Sequence, residues 1–425
     1  MATLFKDVLI LDGEMERGKL CSARVDEGRL SAIGDGLEAG PGDELIDCGG
    51  RKALIPGFVN AHTHAAMCLL RGVGEESPLK EWLEEKIWPA EAKLTRDHIL
   101  WGTKAALLEM AANGVTAFAD MYFEMDAVVE ASLEAGMRCA ACRGMVGDDE
   151  EKLRESLQLA ETWKDHRDMV TVQLGPHAPY TVPLPMVRRI CEAAAERSLG
   201  VHFHFLEAEW ELAYFRDELK TTVEEYIESS GLLEVPFAIL AHCVWLDPEV
   251  LDRVDFSHMT VAHNPNSNLK LGSGVMDLSG LAARTRKIAL GTDGAASNNR
   301  LDVWGEMRCA ALLHKGIQKD PTALSARDSL RMATLEGAAG LGFDKCGLIR
   351  EGWAADLALV DLDRPHYVGI DEENAALYIV YAGSSADVCG TMVAGRWVYR
   401  DGEFPTMDRA EIMAKAERAR ADLLS

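Results

Sequence analysis

The sequence predicts an α/β fold: a (β/α)8 TIM barrel joined to a composite β-sandwich domain that the N- and C-terminal segments build together. Three observations predict it. Between residues 57 and 343, eight short apolar runs alternate with helix-like segments, the pattern of parallel strands that return through helices. Residues 1–56 and 344–425 have a different texture, short alternating runs broken by glycine, which marks small antiparallel strands. Seven of the twelve histidines fall at the ends of the apolar runs, where a barrel of this kind gathers its reactive groups.

The first segment offers strands at 7–11, 22–25 and 29–33, joined by turns at Asp12-Gly13 and Glu27-Gly28. The last offers strands at 356–361 and 391–399. Neither has enough apolar surface to fold alone, so 1–56 and 344–425 are expected to make one domain flanking a 57–343 barrel. A helix rich in Ala, Glu, Arg and Lys is expected over 408–424. Barrel strands are expected at 57–64, 115–121, 137–143, 170–177, 201–207, 238–244, 259–264 and 288–293. The clearest helix is 96–112, capped by Thr95 and closed by Asn113-Gly114, with others at 148–163 and 184–197. After His64 the rhythm breaks: no regular helix is expected before Leu94, and so long an insertion marks a functional loop. A doubly wound open sheet is the alternative, but no G-x-G-x-x-G follows the first strand to support its dinucleotide-binding form.

Composition narrows the class of function. No apolar run approaches the roughly 18 residues that span a bilayer. The N-terminus lacks a signal-peptide pattern, so a cytoplasmic protein is expected. A net charge of -25 argues against nucleic acid or anionic membrane as partner and leaves a small-molecule substrate. Ten cysteines without a secretory signal do not read as a disulfide framework. Cys139-Ala140-Ala141-Cys142 lies in an apolar run with no second pair to complete a zinc site, and reads as core packing.

The strand ends carry the chemistry. Strand one ends His62-Thr63-His64, with alternate side chains on one face. Strand four ends Pro176-His177, and strand five runs His202-Phe203-His204-Phe205-Leu206-Glu207. Strands six, seven and eight end in His242, His263-Asn264 and Gly291-Thr292-Asp293. His62, His64, one histidine of strand five and Asp293 supply three imidazoles and a carboxylate, a donor set suited to zinc. Such an ion makes hydroxide available near neutral pH. A general acid/base is still needed, and Glu207 stands where it reaches both water and substrate.

These motifs, with Pro56-Gly57-Phe58-Val59-Asn60-Ala61, Ala241-His242-Cys243 and the runs 261–271 and 295–299, resemble the amidohydrolase superfamily. Within it they are similar to the 5-methylthioadenosine/S-adenosylhomocysteine deaminases and their chlorohydrolase relatives. The resemblance spans nearly the whole chain. It implies one divalent metal ion per subunit, zinc by preference over iron or manganese, held by His62, His64, His204 and Asp293. It implies Glu207, His242 and Asp293 as catalytic groups, with His202 as a hydrogen-bonding or core neighbour. Glu91 is implied as the residue that holds the ribose hydroxyls. His177 and Arg143 are implied as further substrate contacts, Arg143 for the carboxylate of a homocysteine tail. Trp88 reads as loop packing more than as a stacking surface. The implied activity is hydrolytic deamination of S-adenosylhomocysteine, 5-methylthioadenosine, adenosine or 5-deoxyadenosine, by a homo-oligomer. An aminohydrolase or chlorohydrolase acting on a free guanine, cytosine or triazine ring is the alternative, and a non-catalytic scaffold a third.

Overall fold

The computed structural model describes residues 2–425. Its first five strands are β1 (Thr3–Ile10), β2 (Lys19–Asp26), β3 (Arg29–Gly34), β4 (Glu44–Asp47) and β5 (Lys52–Pro56). Eight more alternate with helices: β6 (Phe58–Thr63), β7 (Val115–Tyr122), β8 (Arg138–Met145), β9 (Val170–Pro176), β10 (Gly200–Phe205), β11 (Ala238–His242), β12 (Met259–His263) and β13 (Ile288–Leu290). These pair in parallel, each with the next in the chain. The last three, β14 (Leu357–Asp361), β15 (Val388–Val393) and β16 (Arg396–Arg400), join the first five in a sheet of order β16-β15-β14-β5-β1-β2-β3, with β4 beside β1. The TIM barrel with a separate sheet is present as the sequence predicts.

The barrel strands are buried on both faces, which is why they read as continuous apolar runs. Small residues fill the interior: Ala61, Ala117, Ala119, Ala140, Ala262 and Ala289 cluster with Val59 and Ile239. Their larger neighbours, among them Phe118, Phe203, Leu240 and Val261, turn outward under the helices. Cys139 and Cys142 are buried in β8. At the rim the β6–β7 register shifts between Asn60 and Thr63, a bulge that turns His62 and His64 into the mouth. The first and last strands are tied by side chains and backbone. Asn60 Nδ2 donates to Thr292 Oγ1 at 2.7 Å, Thr292 N to Asn60 Oδ1 at 2.9 Å, and Asp293 N to the His62 carbonyl at 2.9 Å. Gly291 permits that approach, because a Cβ there would lie 2.8 Å from the His62 nitrogen.

The terminal sheet packs on the barrel by simple alternation. In β14, Ala358 and Val360 join the main core, while Leu357 and Leu359 turn to the sheet's own core with Phe5, Ile10, Leu54 and Met392. The helix Arg409–Leu423 lies along Arg96–Ala112, where Asp422 is 3.1 Å from His98 Nε2. Among the described residues no helix is long and apolar enough to cross a membrane.

The insertion after His64 is more ordered than the sequence suggests. Residues 79–91 form a continuous helical run with a π-turn at Trp82–Ile87. Pro89 lacks the N–H that would bond one turn back, and the extra residue of the π-turn absorbs the break: Trp88 N–H reaches the Leu83 carbonyl instead.

Candidate active site

Except for Glu91, which ends the helical run 79–91, each functional side chain is placed near a strand end or in the turn just beyond it. His62 is on β6 and His64 follows it; His202 and His204 are on β10, His242 on β11. Beyond their strands, Leu206, Cys243 and Asp293 adopt left-handed backbone, as does His242 itself, with φ of 50°, 48°, 59° and 74°. Strained residues of this kind collect where a side chain must be aimed against local preference.

The hydrogen bonds fix which imidazole nitrogens face inward. His64 Nδ1–H donates to the Met121 carbonyl at 2.5 Å, and His204 Nδ1–H to the His177 carbonyl at 2.8 Å. Both therefore turn Nε2 toward each other, only 3.3 Å apart, and with no proton there the two lone pairs would face. Asp293 Oδ1 lies 3.3 Å from His64 Nε2 and 3.6 Å from His62 Nε2, and the latter is buried without a hydrogen-bond partner. Lone pairs crowded in this way repel unless a cation lies between them. A tetrahedral ion with bonds of about 2.1 Å sets neighbouring donors roughly 3.4 Å apart, so the spacings match. The donor set therefore fits a divalent metal. The ligand atoms of His62, His242 and Asp293 also lie within 4.8 Å of one another.

Electrostatics agree with that geometry. Burial takes His62 down to about 3. Burial acts in the same direction on His64, but the Asp293 carboxylate overrides it and lifts His64 to about 9. Burial and neighbouring imidazoles hold His202 and His204 well below the usual range. Positive charge is thus drawn to the space between His64 and Asp293. Asp293 is itself oriented: Oδ2 accepts from Ser267 Oγ at 2.6 Å and Ser297 Oγ at 2.8 Å, and Oδ1 from Gly294 N at 2.7 Å.

Glu207 and His242 stand beside the cluster, with His242 Nε2 at 3.8 Å from Glu207 Oε2. Burial, with the charge of Asp293, pushes the Glu207 carboxyl up to about 8. Ser273 Oγ donates to its other oxygen at 3.3 Å. The turn that carries Glu207 is clamped by Glu211, whose buried carboxylate accepts the N–H groups of Leu206, Glu207 and Ala208 at 3.2, 2.8 and 3.0 Å. Asn264 and Asn268 approach His242 Nδ1 at 3.3 and 3.2 Å. With both amides donating, the His242 proton sits on Nε2, facing Glu207.

Above this floor opens a pocket of about 570 Å³. His64, His177, His204, Glu207, His242 and Asp293 line it, as do Glu91 and Arg143. His62 and His202 lie outside the lining: His62 Nδ1 is 2.8 Å from His202 Nε2, so His202 backs the cluster. Burial raises Glu91, against the opposing pull of Tyr122. Burial and nearby imidazoles lower His177 to about 4, and its Nδ1 is 2.8 Å from Thr181 Oγ1. Trp88 corrects the sequence reading: it is 40% exposed and lines the pocket instead of being packed away. The structure brings the other predicted residues to one site.

Sequence reasoning named no role for Ser267, Asn264, Asn268 or Ser297, although all fall in the quoted runs 261–271 and 295–299. It missed Glu211, for which the only signal was a second glutamate one helical turn after Glu207. Glu306 was missed too. Its buried carboxylate accepts from Asn266 N and Nδ2 and from Asn298 Nδ2, knitting together the loops that follow β12 and β13.

Comparison with known proteins places this geometry. Residues 53–398 match the amidohydrolase family. The 5-methylthioadenosine/S-adenosylhomocysteine deaminase of Dictyoglomus thermophilum is 43% identical over 386 residues, 90% of each chain. The 5'-deoxyadenosine deaminase of Methanothermobacter thermautotrophicus is 41% identical over 421 residues, 97% of each. Among solved structures, an adenosine deaminase from Xanthomonas campestris with bound zinc superposes with a TM-score of 0.91. It is 30% identical, with 99% of this chain and 98% of that one covered.

Proposed function

This chain belongs to the amidohydrolase family, and on that premise we propose that it deaminates adenosine-type nucleosides hydrolytically, releasing ammonia and the inosine analogue. The observation that carries the reading is the convergence of three imidazole nitrogens and Asp293 Oδ1, next to Glu207 and beneath a pocket walled by Glu91. His62, His64, His204 and Asp293 hold one divalent ion, zinc by the character of the donors. When bound, the ion supplies the acidity that lets water act as a nucleophile near neutral pH.

The chain's own residues do the rest. Glu207 takes a proton from the attacking water and delivers it to the purine N1, so that C6 accepts the oxygen as N1 becomes N–H. His242, holding its proton on Nε2, orients that oxygen. Asp293 receives the second water proton and passes it to the C6 amine, which leaves as ammonia while the C6 carbonyl forms. Water and the aminopurine are thereby converted to the oxopurine and ammonia, with no other reactant. Glu91 accepts hydrogen bonds from the vicinal ribose hydroxyls. His177 contacts the nucleoside, and Arg143 faces the 5′ substituent. We extend the proposal to a homo-oligomer, which sedimentation of the purified protein checks, and to a cytoplasmic location, which cell fractionation checks.

Purified, metal-loaded protein incubated with adenosine derivatives should release ammonia and shift the purine absorbance, and chelation should abolish both. Unchanged absorbance with every adenosine nucleoside tried would refute the proposal. Glu91→Gln separates it from action on a free heterocycle. Nucleoside turnover should fall sharply, whereas turnover of a base without ribose would not depend on Glu91.

A further inference from the structure

Arg143, at the end of β8, is the only lysine or arginine among the residues lining the pocket. The acidic residues lining it are Glu91, Glu124, Glu207 and Asp293. Its guanidinium is already engaged: Nε donates to Glu155 Oε2 at 2.6 Å and Nη1 to the Gly144 carbonyl at 3.0 Å. Glu155 projects from the helix Glu150–Thr162 and lines no part of the pocket itself. Much of the remaining wall is apolar, with Met67, Leu83, Phe123 and Val146 among its residues. A ligand carboxylate approaching Arg143 has either to displace Glu155 or to share the guanidinium with it, like charge against like. A small uncharged group meets no such cost.

We propose that Glu155, by occupying Arg143, restricts the pocket to adenosine nucleosides with small uncharged 5′ substituents and disfavours those whose 5′ tail ends in a carboxylate. Glu155 is a positioning residue in this account, because it acts through Arg143 and touches no substrate. The proposal rests on the deaminase reading and narrows its substrate class.

The test compares 5′-methylthioadenosine with S-adenosylhomocysteine, which differ only beyond the 5′ sulfur. The wild-type enzyme should favour the neutral compound by up to about fivefold in kcat/KM, the order that a partly exposed ion pair is worth. Glu155→Gln should bring that ratio close to one, a change of up to about fivefold, with the change in the KM of the homocysteine compound and not in its kcat. Equal use of the two by the wild type, or an unmoved ratio in the variant, overturns the proposal and leaves the deaminase reading standing. A widened ratio also overturns it, since Glu155 would then be receiving the ammonium of the tail. If adenosine or 5′-deoxyadenosine is turned over and neither thio compound is, the proposal is overturned; if no adenosine nucleoside is turned over, the deaminase reading itself fails.

Discussion

Two buried polar assemblies, one at each end of the barrel, behave in opposite ways. At the start of β8, Arg138 crosses to the terminal sheet and pairs with Asp356. Its Nε and Nη2 lie 2.6 and 3.1 Å from the two carboxylate oxygens, and Nη1 reaches the Asp168 carbonyl. Ala394 N adds a bond to Asp356 at 2.7 Å, and the guanidinium lies over the Phe343 ring. Every polar atom of that pair is matched. At the mouth, by contrast, His62 Nε2, His202 Nδ1, Asn264 Oδ1, Asn268 Oδ1 and Asp120 Oδ2 are buried without partners. Native interiors rarely leave such groups unpaired. The closed assembly holds two parts of the molecule together, and the open one is shaped for something the polypeptide does not itself supply.

The sharpest way to break this contrast is at Glu207. Glu207→Gln keeps the side chain's shape but removes the proton carrier, so kcat should fall by roughly 10²–10⁴-fold. Metal content per chain and the thermal midpoint should stay as in the wild type. A drop of less than tenfold would mean that another group moves the proton. At the closed end the expectation is reversed. Arg138→Met leaves Asp356 buried with no opposite charge and only the Ala394 N–H, which should cost on the order of 3–5 kcal/mol in urea unfolding. Metal content and kcat of the folded fraction should be retained. If the variant kept its stability but lost metal, the division between the two ends would be wrong.

A smaller effect comes from a third buried pair, which burial holds neutral. His263 Nε2 and His314 Nε2 lie 3.1 Å apart. Burial lowers His314 to about 4, and burial with the His314 ring takes His263 well below the usual range. An unfolded histidine titrates near 6.5. Between about pH 6.5 and 4 the unfolded chain therefore binds more protons than the folded one, and stability falls as the pH falls. His314 contributes up to about 3 kcal/mol of that loss. His314→Gln keeps a hydrogen-bonding partner but cannot be protonated. Its urea midpoint should consequently drop less than the wild type's between pH 7.5 and 5. An equal drop in both proteins would remove His314 from the acid response.

What the sequence made legible follows from the same physics. Period-two burial lets Phe203 and Phe205 point out while His202 and His204 point in, so strand positions and the residues at their ends could be read directly. Asp293 and Glu207 were readable because each sits at or just past a strand end. Residues set by tertiary contacts were not. The helical run 79–91 depends on a π-turn around Pro89, which local propensity does not announce. Trp88 looked like packing because nothing near it in sequence reveals an open pocket. Glu155 carries no signal at all until the helix after β8 brings it to Arg143. The short β13, which ends at Leu290, leaves Gly291-Thr292-Asp293 as a turn whose shape comes from bonds to β6.

The subtlest test concerns the tautomer of His62. To offer Nε2 to a cation, His62 must carry its proton on Nδ1, and that proton needs an acceptor. His202 Nε2, 2.8 Å away, is the acceptor in place. It can accept only while His202 is neutral, and burial depresses its pKa enough to keep it so. Partners of this kind fix a ligand's orientation and typically change metal affinity 10–100-fold. His202→Phe fills the space without an acceptor, and should weaken metal binding by about that factor in competition with a chelator of known affinity. His202→Gln, whose amide oxygen can take the Nδ1 proton, should recover most of the loss. Equal affinity in the phenylalanine variant would reduce His202 to core filling. Recovery by glutamine alone would show that the neighbour acts through a proton's position and not through bulk.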